Sequence, residues 1–97
     1  MCYTLDEIRQ KSSEIASKYN MNRLVLFGSY ARGEASDDSD IDLMIQSDDM
    51  GLLDISRFRQ QLADSFNTPV DVIREEDTSD VFRFLIKNDE ILIYEKS

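Results

Sequence analysis

The stretch LVLFGSYARGEASDDSDIDLMI, residues 24–45, decides how the rest of the chain is interpreted. Its apolar, partly β-branched start predicts a short buried strand over residues 23–27. Its end alternates between apolar and polar residues, which predicts a half-buried strand over residues 40–46. The alternation places Ile41, Leu43 and Ile45 on one face of that strand and Asp40, Asp42, Met44 and Gln46 on the other.

A glycine-serine turn joins the two predicted strands. Gly28 permits a ligand to approach the backbone closely. Ser29 is expected to cap a short helical turn at residues 30–32, with Gly33 as its C-terminal stop. The N–H groups that open such a turn favour an anion such as phosphate. Gly-Ser is also a common turn without any ligand. The dipeptide alone therefore does not decide between a phosphate-binding turn and a purely structural one.

The flanking sequence predicts two amphipathic helices. Thr4 and Glu7 fit a capping box before a helix over residues 5–19. A second helix is expected over residues 52–66. Its predicted apolar face consists of Leu52, Ile55, Phe58, Leu62 and Phe66.

The C-terminal third predicts two more strands around a last helix. VDVI at residues 70–73 and ILIY at residues 91–94 have the composition of short strands. Ser79 or Asp80 would cap a helix that ends near residue 88. The element order predicts an α/β (α+β) fold, a small mixed sheet with helices packed on it, in a single domain over residues 1–97.

The negative charge of the chain is concentrated in one segment. The net charge is −9, and residues 34–49 contain seven acids and no base. These acids are Glu34, Asp37, Asp38, Asp40, Asp42, Asp48 and Asp49. Such a surface repels a nucleic-acid backbone and attracts divalent cations. We therefore expect no stand-alone binding of nucleic acid.

The residue types that are missing exclude several classes of site. The absence of histidine excludes Ser-His-Asp and Cys-His catalysis and most zinc sites. The single cysteine, Cys2, allows no intrachain disulfide. No apolar run approaches the roughly 20 residues of a membrane span, and the first residues lack the apolar core of a signal peptide. We expect a soluble, cytoplasmic protein that does not bind membranes.

Three carboxylates are candidates for a metal site. Asp40 and Asp42 share one face of the predicted strand. Asp71 lies between Val70 and Val72 and would face away from them, where a neighbouring strand could bring it beside the other two. Converging carboxylates are costly without a cation, whereas two Mg²⁺ ions would make them a clamp for phosphoryl chemistry. The alternative is the solvated face of an edge strand, which requires no function.

Arg32 and the acidic loop also have competing interpretations. Arg32 suits contact with a triphosphate. It could equally pair with one of three nearby acids, Glu34, Asp37 or Asp38. The segment DSDID resembles the start of an EF-hand calcium loop, but Leu43 occupies the position of the required glycine. The pattern therefore favours a strand over a calcium loop.

The combination of these features resembles a known family. GSYARGEASDDSDIDL, followed by the lone aspartate of VDVI, is similar to the nucleotidyltransferases of the DNA polymerase beta superfamily. It looks most like the minimal nucleotidyltransferases (MNT) of HEPN/MNT toxin–antitoxin pairs. The resemblance spans nearly the whole chain and implies the nucleotidyltransferase fold.

The resemblance implies a role for each candidate residue. Gly28 and Ser29 would bind the phosphates of the nucleotide, and Asp40 and Asp42 would hold Mg²⁺. Asp71 would complete the metal site and help to activate the acceptor hydroxyl. The reaction would be an in-line attack on the α-phosphate of ATP that releases pyrophosphate.

The resemblance also implies a protein partner. The chain would act as the antitoxin of a HEPN toxin by transferring AMP to a hydroxyl of that partner. The alternative is a non-catalytic antitoxin that acts by direct contact. A third hypothesis is modification of a small molecule such as an aminoglycoside, but the chain has no room for the acceptor domain of such relatives.

Overall fold

The computed structural model of the chain describes residues 2–96, which form one four-stranded sheet and four helices. The helices are α1 (Leu5–Ala16), α2 (Gly28–Ala31), α3 (Leu52–Phe66) and α4 (Asp80–Ile86). The strands are β1 (Arg23–Phe27), β2 (Ile41–Gln46), β3 (Val70–Arg74) and β4 (Ile91–Glu95). A 3₁₀ turn at Glu75–Asp77 follows β3. The predicted element order and the mixed α/β class are confirmed.

The strands lie in the order β3-β2-β1-β4. β1 is antiparallel to both β2 and β4, whereas β2 and β3 are parallel. A parallel pair requires a crossover connection, and α3 provides it. β2 is therefore an interior strand, so the interpretation of its aspartates as the solvated face of an edge strand is wrong.

The first helix begins where the sequence predicts. The Glu7 N–H donates to Thr4 Oγ1 (3.1 Å), and the Thr4 N–H donates to Glu7 Oε1 (2.9 Å), which completes the capping box. The helix ends at Ala16, earlier than the predicted residue 19. The N–H of Tyr19 donates to the Ala16 carbonyl three residues back, so the chain tightens into a turn there.

The hydrophobic core lies between one face of the sheet and the helices α1 and α3. Ile55, Phe58, Leu62 and Phe66 of α3 are buried, as predicted. Leu52 is 72% exposed, which contradicts its predicted place on the apolar face. It is the first residue of the helix, where no adjacent helical turn or strand covers its side chain.

The opposite face of the sheet is partly covered as well. Met44 shares that face with Asp42 but is only 6% exposed, and Val25 of the neighbouring strand is 2% exposed. Met44 is therefore covered, although the alternation alone placed it on the same face as Asp42 and Gln46. Alternation in a strand shows which residues share a face but not whether another element covers it. Asp42 consequently lies on a face that excludes much of the solvent.

Candidate active site

Asp42 and Asp71 meet across the parallel strand pair. Asp42 on β2 and Asp71 on β3 are direct register partners, so their side chains project from the same face of the sheet. This face is opposite to the one that α1 and α3 cover, because the adjacent Ile41 and Val70 belong to the core. Asp42 is half-buried and Asp71 is exposed. The predicted convergence of these two carboxylates is therefore present.

The surroundings of Asp42 disfavour its ionised form. Burial raises the pKa of the Asp42 carboxyl above its ordinary value, and the negative charges of Asp71 and Asp40 raise it further. A hydrogen bond with Asp71 acts in the same direction, whereas the positive charge of Arg32 lowers the pKa. A bound cation would relieve the same repulsion that a proton relieves.

Gly28 brings the backbone directly against the Asp42 carboxylate. Its φ of +77° lies in the region that glycine adopts without strain. A Cβ atom at this position would fall 3.2 Å from Asp42 Cγ and still closer to Oδ2. The missing side chain thus lets the Asp42 carboxylate lie directly against the backbone of the turn.

The turn after β1 differs in detail from the prediction. α2 begins at Gly28, so Ser29 lies within the helix and does not cap it. Phe27 occupies the N-cap position without a side-chain hydrogen bond. Gly33 has a φ of +72°, which agrees with its predicted place at the end of the helix. The first N–H groups of the turn have no acceptors within the helix and remain suited to an anion.

Arg32 lies near the carboxylates but is engaged by a neighbour. Its Nε donates to Glu34 Oε1 over 2.7 Å. Of the three acids considered as partners, Glu34 is therefore the one that Arg32 pairs with. This hydrogen bond raises the pKa of the Arg32 guanidinium, and the charges of Asp89 and Asp42 add to the effect. Arg32 is exposed at the edge of the site. Contact with a nucleotide stays a prediction for this residue.

The donor atoms suit Mg²⁺, although the protein alone does not form a complete cage. Asp40 precedes β2 and acts on Asp42 electrostatically. Across residues 2–96, no three Asp, Glu, Cys or His side chains converge closely enough to hold an ion. Mg²⁺ is usually bound by one or two carboxylates together with substrate phosphates and water. Asp42 and Asp71 match that pattern, and the segment around them is a strand, which excludes the EF-hand interpretation.

One neighbour of the site was not foreseen from the sequence. The Phe82 ring of α4 packs edge-to-face on the Phe27 ring, with the ring centroids 5.5 Å apart. Phe27 pairs with Asp42 across β1 and β2 and precedes Gly28. The run VFRFLI is apolar on nearly every side of α4. This was the available signal that one side of the helix packs on an apolar neighbour, here Phe27, while apolar residues remain on its other sides.

A family profile and several relatives match this chain. The profile described as "Polymerase beta, Nucleotidyltransferase" matches residues 10–97. A predicted protein adenylyltransferase of Methanocaldococcus jannaschii is 36% identical over 70 residues, which cover 71% of this chain and 75% of that protein. The protein adenylyltransferase MntA of Thermococcus cleftensis is 29% identical over 75 residues, covering 72% of this chain and 76% of that protein.

Solved structures share the same fold. A predicted minimal nucleotidyltransferase matches with a TM-score of 0.78 and 28% identity over 92% of this chain and 95% of that one. A toxin–antitoxin structure with AMP-PNP gives a TM-score of 0.78 at 21% identity, covering 92% of this chain and 74% of that one. A complex of the tri-AMPylated HEPN toxin of Shewanella oneidensis with its MNT antitoxin gives 0.63 at 19% identity, covering 91% and 73%. The last two likenesses concern the fold alone.

Proposed function

The chain belongs to the polymerase beta nucleotidyltransferase family, and we propose that it transfers AMP from ATP to a hydroxyl group of a partner protein. The observation that carries this proposal is the direct pairing of Asp42 with Asp71 beside the turn at Gly28. The relatives named protein adenylyltransferase support AMP as the transferred group.

The proposed reaction is a displacement at the α-phosphorus of ATP. The oxygen of the acceptor hydroxyl forms a bond to that phosphorus, and the bond from the phosphorus to the oxygen that bridges the α- and β-phosphates breaks. The hydroxyl proton passes to the carboxylate of Asp71, and pyrophosphate leaves with the bridging oxygen. Such chemistry depends mainly on positioning and on the neutralisation of charge.

We assign the binding roles as follows. The backbone at Gly28 and Ser29 binds the nucleotide phosphates, and Arg32 adds a positive charge at the edge of the site. The carboxylates of Asp40, Asp42 and Asp71 would hold two Mg²⁺ ions, and the bound metal would supply neutralisation of the triphosphate charge. The raised pKa of Asp42 supports a cation at this position, because the uncompensated cluster is unfavourable.

We propose that the acceptor is a HEPN-family protein and that the chain acts as its antitoxin in the cytoplasm, where ATP is available. The proposal is supported by the fold shared with the MNT antitoxin bound to an AMPylated HEPN toxin and with the toxin–antitoxin structure that holds AMP-PNP. No helix within residues 2–96 is both long and apolar enough to cross a membrane.

Calorimetry with ATP and Mg²⁺ tests the proposed site. The natural chain should bind ATP only when the metal is present, and Asp42→Asn should lose that binding. Asp38→Asn, which removes one exposed acid from the same segment, is the matched control and should bind as the natural chain does. Transfer of label from α-phosphate-labelled ATP to the HEPN protein then tests the reaction. Equal ATP binding by Asp42→Asn and the natural chain would contradict the proposal.

A contact antitoxin without catalysis is the second candidate. One observation favours it: within the described residues no three acidic side chains converge on a complete metal site. The double variant Asp40→Asn, Asp42→Asn separates the two functions. If this variant still neutralises the toxin in cells, neutralisation acts by contact; if it fails while still binding the toxin, neutralisation requires the transfer.

A further inference from the structure

The last helix exposes an apolar surface to solvent. Val81, Phe84 and Leu85 of α4 are 69%, 75% and 68% exposed. Their spacing of three and four residues places them on one side of the helix. We call these three residues the α4 face. Three large apolar side chains exposed together on one short helix mark an interaction surface more often than an isolated exposed leucine does.

The other side of α4 connects this surface to the proposed active site. Phe82 contacts Phe27, whose β2 partner is Asp42. The segment that follows the helix also lies near the site, because the charge of Asp89 acts on Arg32. The α4 face is therefore carried by a helix whose other side packs on the strand partner of Asp42.

The charges around the α4 face are predominantly negative. Residues 74–90 contain six acids and three bases. Two of the bases are already engaged, since Arg74 pairs with Asp77 (2.7 Å) and Arg83 pairs with Asp80. Together with the net charge of −9, this rim disfavours a second copy of the chain, a nucleic acid or an anionic membrane as the occupant.

We propose that the α4 face is the docking surface for the protein that accepts AMP. The surface of the acceptor that meets it would be an apolar groove bordered by lysine and arginine residues. Such a groove complements the apolar centre of the α4 face and its acidic rim. This inference rests on the proposed function, because it identifies where the acceptor of that reaction is held. Docking there would hold the acceptor on the helix that packs against Phe27, the strand partner of Asp42.

A pair of matched double variants tests the docking surface. Phe84→Gln with Leu85→Gln replaces two of the three apolar residues of the α4 face with glutamine, which also favours a helix. Leu52→Gln with Leu53→Gln removes two leucines of similar exposure, 72% and 65%, from the start of α3. The measurement is the Kd for a purified HEPN-family protein, the acceptor proposed above, with circular dichroism as the test of folding.

We expect the α4 double variant to weaken this binding about tenfold or more, as the loss of two central apolar contacts does in other interfaces. The α3 double variant should bind as the natural chain does, and both should retain ATP binding. Binding should also weaken at higher ionic strength, because the rim charges are exposed. An unchanged Kd in the α4 variant, or no binding of the HEPN protein by the natural chain, would overturn the proposal.

Two further readouts separate this proposal from its alternatives. In sedimentation of the chain alone, we expect no dimer that forms through the α4 face. A dimer of the natural chain that is lost in the α4 double variant would assign this surface to a second copy instead. If the natural chain binds the HEPN protein through the α4 face but transfers no AMP, the docking surface stands and the proposed reaction fails. If AMP transfer occurs and the α4 variant does not impair it, the reaction stands and the docking surface fails.

Discussion

Asp42 and Asp71 are direct partners across a parallel strand pair, and burial together with the negative charge of Asp71 raises the pKa of the Asp42 carboxyl. Two carboxylates in this arrangement repel each other when both are ionised. The fold therefore holds an electrostatically unfavourable pair, with Asp42 half-buried on the interior strand β2 and Asp71 exposed on the edge strand β3. Such a pair is expected where a cation and a triphosphate bind, and it determines how substitutions at the site should behave.

The variant Asp42→Asn should stabilise the metal-free protein while it abolishes AMP transfer. Burial and the neighbouring charges oppose ionisation of Asp42, so a neutral amide of the same shape relieves the repulsion. Each kcal/mol of relief corresponds to a rise in Tm of about 4–8 °C in a domain of this size. Thermal unfolding in a chelating buffer measures it, with Asp38→Asn as the control. A lower Tm for Asp42→Asn would contradict the expected repulsion.

The variant Gly28→Ala should lose nucleotide binding, whereas Gly33→Ala should not. Both glycines have positive φ values, +77° and +72°, so each substitution places a non-glycine residue in the left-handed region at a cost of about 1–2 kcal/mol. Only the Cβ at residue 28 would meet the Asp42 carboxylate; nothing lies within 4 Å of one at residue 33. Calorimetry with ATP and Mg²⁺ measures the difference. Equal ATP affinities in the two variants would show that the contact between the residue 28 backbone and the Asp42 carboxylate does not matter for nucleotide binding.

The variant Glu34→Gln should strengthen ATP binding. The carboxylate of Glu34 engages the Arg32 guanidinium, and its removal frees that positive charge for the triphosphate. Because an exposed ion pair contributes less than about 1 kcal/mol, we expect a gain of no more than about fivefold in affinity. Arg32→Ala should lower the affinity in the same assay. If neither substitution changes the Kd for ATP, Arg32 does not contact the nucleotide.

The capping box of α1 should make stability depend on pH. Thr4→Ala removes the N-cap acceptor and should cost about 1 kcal/mol at neutral pH. Hydrogen bonds from the Thr4 backbone and side chain lower the pKa of the Glu7 carboxyl. The stabilisation by ionised Glu7 is therefore present above its unfolded pKa and is lost as the pH falls through its lowered folded pKa.

The measurement for this prediction is Tm as a function of pH for the natural chain and for Thr4→Ala. The difference between them should be largest at neutral pH and should shrink in acid, once Glu7 is protonated. Thr4→Ser keeps the hydroxyl and should follow the natural chain. A difference that stays constant from neutral pH into acid would mean that the Thr4 side chain does not stabilise the ionised form of Glu7, whose bond from the Thr4 N–H is present in both proteins.

The sequence by itself determined the local elements. β1 and α3 begin and end as predicted, and the cap of α1 forms with the predicted atoms. These features depend on neighbouring residues: side-chain periodicity, a capping hydroxyl and a glycine with positive φ. The candidate residues of the site were also identified from the sequence. Most of them lie in one continuous motif, and Asp71 lies in a later strand.

The tertiary structure decided what these elements meet. It placed β2 inside the sheet, paired Asp42 with Asp71, buried Met44 on the face that carries Asp42, and left Leu52 uncovered. In the folded chain Arg32 pairs with Glu34, and α4 packs beside Phe27. Periodicity along a chain shows which side chains share a face. Strand order and the packing of distant elements decide whether that face meets solvent, a core or a second carboxylate, and these contacts join residues that are far apart in the sequence.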